Sequence, residues 1–151
     1  MPDGYYEIIS GHGRKHAAEK LGYRKVPVII RVLSEDDSIL SMVDSNLHRE
    51  RISYSEKAFA YQVKNAVLKR KSGRKKSQVD HKKTRKRSID IISEDCGDSP
   101  KQVQRYISLT KLIPEMLQKL DDEIISFCPA VEIAALKENE QRELLKAMDY
   151  A

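Results

Sequence analysis

The sequence predicts an α+β N-terminal module followed by an all-α domain. Two β-branched and aromatic runs, Tyr5–Ser10 (YYEIIS) and Val26–Leu33 (VPVIIRVL), flank a helix-like stretch, Arg14–Leu21, that ends at Gly22. From Tyr54 onwards the apolar residues recur at helical spacing, and Gly97 falls between two such stretches where a tight inter-helix turn needs a positive φ.

The first module is read as strand, helix, strand and a further helix. Ser34 with Asp37 forms a helix cap that opens a helix over Glu35–Ser45, with Ile39, Leu40 and Val43 on one side. The expected domain lines are a partial N-terminal nucleotide-type domain over 1–52, a connecting helix over 53–71, a basic linker over 72–87 and a helix-turn-helix domain over 88–151. Ser53 and Glu56 form a capping box at the head of the connecting helix, and Phe59, Val63, Ala66 and Val67 recur behind it. After the linker, helix starts are marked by Ser88, Ser99, Pro114 and Pro129, and Glu138–Met148 makes a last helix with Leu144, Leu145 and Met148 inward.

Charge is distributed unevenly. Eleven Lys or Arg stand against one Asp between Lys69 and Arg87, a local +10 in a chain whose total is +5, so the remainder carries −5. A basic block on an otherwise acidic protein calls for a polyanion partner, nucleic acid before an anionic membrane surface. Lys75, Lys76, Lys82 and Lys83 are its candidate phosphate contacts, the alternative being a solvated linker. The two cysteines, Cys96 and Cys128, are 32 positions apart and in no metal-binding spacing, and no apolar run approaches bilayer length. A reduced, cytoplasmic protein is the expectation, with no membrane partner.

The helix-turn-helix reading rests on IDIISEDCGDSPKQVQRYISL. Ile89, Ile92 and Cys96 are spaced to face one core, and Ser99, Pro100 and Gln102 supply an N-cap, a first-turn proline and a capping-box partner. At about 100° per residue, Val103, Tyr106 and Ile107 share one face, while Lys101, Arg105 and Ser108 share the opposite one, flanked by Gln104. A recognition helix needs such a division, apolar side docked and donors free for the major groove. Ser99, Lys101, Gln102, Gln104, Arg105 and Ser108 are therefore the candidate DNA contacts. A plain antiparallel helix pair with a solvated outer face is the alternative.

Ahead of the first helix, Gly11-His12-Gly13-Arg14 can hold a phosphate through backbone N–H groups, or can be an ordinary tight turn. His12 and His16 lie four apart with Gly13 where a zinc-protease motif has Glu, so no metal site is assigned.

Together, ISGHGRKHAA (Ile9–Ala18), KVPVIIR (Lys25–Arg31), SNLHRERIS (Ser45–Ser53) and the helix-turn-helix at its distance resemble the successive boxes of the ParB plasmid- and chromosome-partition family. The resemblance covers nearly the whole chain. It implies a small ParB/sulfiredoxin-like sheet with helices in the N-terminal module, and a protein that recognises a centromere-like or operator site on double-stranded DNA, associated with a bacterial nucleoid or plasmid. It further implies CTP with Mg²⁺ as ligand, at Gly11, Gly13, Arg14, Asn46 and Arg49, together with homo-oligomers and a partition ATPase as partner. Two departures make that pocket degenerate: Gly13 stands where the first of two paired Arg belongs, and Ser45 replaces a Glu. The family's preceding strand and helix and its C-terminal dimerisation domain are not recognised, so a form shortened at both ends is expected. DNA binding without catalysis is the leading reading; a CTP-hydrolysing or nuclease enzyme is the alternative, and a protein adaptor would leave the basic block unused. No catalytic residue is assigned, since Glu7, Asp44 and Glu50 stand singly and neither cysteine lies in the glycine box.

Overall fold

The computed structural model describes residues 6–74 and 86–149. Lys75, Lys76, Lys82 and Lys83 lie outside the described residues, as does Tyr5. Among the described residues eight helices follow one another: α1 (His12–Lys20), α2 (Glu35–Leu47), α3 (Tyr54–Arg74), α4 (Ser88–Cys96), α5 (Pro100–Leu109), α6 (Pro114–Asp121), α7 (Phe127–Ile133) and α8 (Glu138–Asp149). None is long and apolar enough to cross a membrane.

The α+β module is not what forms. Among the described residues there is no strand and no sheet, and the stretches 6–10 and 24–33 run without a ladder partner. Val28, Ile29 and Val32 are 72%, 84% and 101% exposed, and no described residue before Val43 is buried. The reason is physical. β-branched composition favours an extended backbone locally, but a sheet is a long-range structure that needs a neighbour for every N–H and C=O. Here α1 buries no side chain, so nothing holds the two extended runs side by side, and Pro27 removes one ladder donor from the second. The small sheet expected from the family resemblance is likewise absent from the described residues.

The helical expectations agree far better with the structure. Ser34 Oγ accepts from the Asp37 N–H at 3.2 Å, and three acids in the first turn of α2 suit its positive end. At α3 both arms of the capping box close: Ser53 N–H donates to Glu56 Oε2 and Glu56 N–H to Ser53 Oγ, each at 3.2 Å. Asp121, at the far end of α6, accepts a third bond from the Ser55 N–H at 3.0 Å and takes the Ser55 hydroxyl as well. A residue 66 positions away thus helps to cap this helix, satisfying donors that would otherwise be orphaned.

α3 is the spine. It packs against α2, α4, α5 and α6 and so has apolar residues on more than one side. The face expected to be buried is only partly so: Val67 is enclosed, whereas Phe59 and Val63 are 45% and 38% exposed. Ala58 and Tyr61 are the deeply buried positions instead. The larger core gathers Ala58, Leu109, Leu112, Ile113, Met116, Leu117 and Leu120 with residues of α7, and Leu144, Leu145 and Met148 of α8 pack on it. The smaller core is Tyr61, Ile92 and Val103, ringed by Leu47, Leu68, Ile89, Cys96 and Ile107. Tyr106 touches both cores, in contact with Tyr61, Tyr54 and Phe127 at centroid separations of 5.7, 6.5 and 4.9 Å. Gln141 of α8 is buried, yet fully bonded: its Oε1 accepts from Ile113 N–H at 2.9 Å, and its Nε2 donates to the carbonyls of Lys111 and Leu136. One amide therefore ties the last helix to two turns.

Candidate nucleic-acid interface

α4 and α5 are joined by Gly97, Asp98 and Ser99. Gly97 has φ 75°, the left-handed conformation that ends α4, and a Cβ added to it would meet nothing within 4 Å. Ser99 then restarts the chain, its Oγ accepting from Gln102 N–H at 3.2 Å with Pro100 in the first turn. At the head of α4 the expected start, Ser88, lies one residue inside. Arg87 precedes the helix and bonds Asp90 through its backbone N–H and its guanidinium, while Ser88 Oγ donates to Asn65 Oδ1 of α3 at 2.5 Å.

The two faces of α5 separate as their sequence implies. Val103 is fully buried on Ile92 and Tyr61, with Tyr106 and Ile107 packed beside it. Ser99, Lys101, Gln104 and Arg105 are exposed. Ser108 is half-buried and spends its hydroxyl on the Arg105 carbonyl at 2.7 Å, and half-buried Gln102 lies against Tyr106. Of the six candidate contacts, Ser99, Lys101, Gln104 and Arg105 therefore present open side chains to a partner.

What holds this pair of helices was not legible in the sequence. Asp98, in the turn, accepts from Tyr61 Oη at 2.6 Å and pairs with Lys57 Nζ at 2.8 Å, both on α3. Lys57 also lies over the Tyr106 ring, 4.7 Å from its centroid. Burial works against the Asp98 charge, but Lys57 and Tyr61 outweigh it and hold its carboxyl below the ordinary range. The Tyr61 hydroxyl is pushed strongly up, by burial first and then by Asp98. A second anchor lies one turn along α3. Lys64 is buried and reaches Asp44 of α2 at 2.7 Å and Asp95 of α4 at 3.0 Å. Burial alone would lower its pKa; the two carboxylates reverse that and keep the ammonium charged. No local motif marks these residues, because their partners are 20 to 41 positions away in the chain.

The nucleotide-type residues are distributed differently. Asn46 and Arg49 line an open groove of about 320 Å³ between α2 and α3, with Val43, Ile52, Phe59 and Val63 as its apolar wall and Glu56 at its side. Gly11, Gly13 and Arg14 are not part of its lining. They stand at the head of solvated α1, where Gly11 has φ 97° and the Arg14 side chain folds back towards it. Ser45 directs its hydroxyl to the Met42 carbonyl at 2.8 Å, and no cluster able to hold a metal occurs among the described residues. These residues do not fit one triphosphate and metal site as they are arranged here, because the Gly11–Arg14 turn and the Asn46–Arg49 groove form no common lining.

Residues 1–47 match the ParB N-terminal domain. Over 60 residues the chain is 45% identical to the nucleoid occlusion protein of Bacillus thuringiensis (strain Al Hakam), and equally to those of Bacillus mycoides (strain KBAB4) and Bacillus cereus (strain B4264). The aligned stretch is 40% of this chain and 21% of each relative, so the chain spans about a fifth of the length of these curated relatives.

Proposed function

We propose that the chain is a ParB-type protein that binds double-stranded DNA as a partition-type, nucleoid- or plasmid-associated protein, a reading supported by its match over residues 1–47 and its 45% identity over 60 residues to nucleoid occlusion proteins. The observation that carries the reading is the division of α5: Val103 is sealed against α3 and α4, while Lys101, Gln104 and Arg105 are free. In this reading α4, the Gly97 turn and α5 act as a helix-turn-helix, with Arg105 able to take a guanine edge bidentately and Lys101 and Gln104 beside it. The basic stretch from Lys69 to Arg87, with Lys75, Lys76, Lys82 and Lys83, adds sequence-independent affinity through phosphates. Helix-turn-helix domain 88–151, basic linker 72–87, connecting helix 53–71 and N-terminal segment 1–52 are the proposed functional divisions. Assembly of copies on DNA and a partition ATPase as partner belong to the same reading and rest on the family resemblance.

A fluorescence-anisotropy titration with duplex DNA tests this directly. Binding that weakens steeply with salt, and that is unaltered by CTP with Mg²⁺, is the expected result. Absence of binding at low salt would contradict the DNA reading. A large CTP-dependent change, lost on Arg14→Ala, would favour a working nucleotide site instead.

A further inference from the structure

At the C-terminal end of α3, exposed Lys69 and Arg70 and half-buried Lys71 open the chain's basic block. Two of these cations are already engaged. Arg70 Nη2 lies 2.8 Å from Asp36 Oδ1, and Lys71 Nζ bonds Asp37 Oδ1, so both contacts go to the first turn of α2. Asp36 is largely covered, its side chain 13% exposed beneath an Arg70 that is 57% exposed. Asp37 is held a second way, by Ser34 Oγ at 2.6 Å. Its carboxyl lies below the ordinary range, with the Lys71 bond as the largest cause and Ser34 next.

We infer that this end of α3 is a second phosphate-contact surface for DNA, masked in the free protein by Asp36 and Asp37. The inference rests on the DNA-binding reading above. The Asp36 oxygen 2.8 Å from Arg70 Nη2, and the Asp37 oxygen on Lys71 Nζ, each occupy a donor that a phosphodiester oxygen would take. Both cations keep open surface, Arg70 at 57% and Lys71 at 37% exposure, so each can turn from its carboxylate to a phosphate, of which a duplex presents many. The masking also changes the salt dependence. A free cation that meets a phosphate gives net counterion release, whereas a cation taken from Asp36 or Asp37 leaves a carboxylate that recruits a counterion of its own.

The test is a comparison of salt slopes for duplex binding. D36N/D37N is measured beside E132Q/E143Q, which removes the same charge from exposed positions on α7 and α8. Each unmasked phosphate contact steepens the slope of log K against log salt by about 0.9, so D36N/D37N gains up to about 1.8, with binding a few-fold tighter at low salt. The E132Q/E143Q control tightens binding less and leaves the slope nearly unaltered. Adding R70Q/K71Q to D36N/D37N abolishes the gain. In the wild-type background R70Q/K71Q flattens the slope by much less than 1.8, which keeps the inference testable should D36N/D37N loosen α2. Equal slopes for D36N/D37N and the control, or a full flattening by R70Q/K71Q alone, overturn the masking while leaving DNA binding intact. No duplex binding by any form overturns the DNA reading itself.

Discussion

Asp98 shows how a single side chain can set the placement of a surface it does not belong to. It fixes the turn before α5 to Tyr61 and Lys57, so the outward aim of Lys101, Gln104 and Arg105 depends on a carboxylate on the inner side. Asp98→Asn keeps the shape but gives up the charge, and a net cost of about 1–3 kcal/mol at pH 7 follows from weakened bonds to a buried hydroxyl and an ammonium. The pH dependence has a definite sign. The folded pKa of Asp98 is depressed, so its contribution is present above the unfolded value of about 3.9 and is lost as pH falls through the folded value. Urea unfolding of wild type and Asp98→Asn is therefore expected to differ at pH 7 and to converge below about pH 4. A gap that does not narrow on acidification would remove Asp98 from this role. Nothing in the sequence pointed to it beyond its place after Gly97. Its partners are 37 and 41 residues earlier, which no local pattern reports.

Elements were legible in proportion to how local their causes are. The starts of α2, α3 and α5 are written in Ser34, Ser53 and Ser99, each of which accepts a backbone N–H as its sequence implied. The α4 to α5 turn is likewise written in Gly97. At φ 75° with nothing within 4 Å of an added Cβ, Gly97→Ala introduces backbone strain and no clash. It is expected to cost about 1–2 kcal/mol, and Gly97→Asn less, because Asn tolerates the left-handed region. Thermal denaturation of the two variants checks this; equal stability to wild type would mean that the turn does not need its positive φ. The extended runs failed for the complementary reason: Val26–Leu33 has the composition of a strand, but pairing depends on neighbours that its own residues do not specify. α3 lies between these cases. Its span and cap were readable, while its buried face was not, because a helix flanked by α2 on one side and by α4, α5 and α6 on others has no single apolar stripe to read.

At the scale of the whole molecule, α3 joins the chain's two halves through charge as much as through packing. Lys64 binds Asp44 on one side and Asp95 on the other, Lys57 binds the turn before α5, and Arg70 and Lys71 bind the first turn of α2. Its cations thus connect α2, which belongs to the ParB-matched segment, to the pair of helices proposed to meet DNA. In the proposed function the outer face of α5 reads base edges. This claim is tested by enriching a duplex from a random pool with the wild-type chain, then measuring the affinity of Arg105→Ala for that duplex and for a scrambled one. A folded Arg105→Ala that loses about 1–3 kcal/mol on the enriched duplex, and distinctly less on the scrambled one, is the predicted result. A folded variant that binds both duplexes as wild type does would contradict the claim.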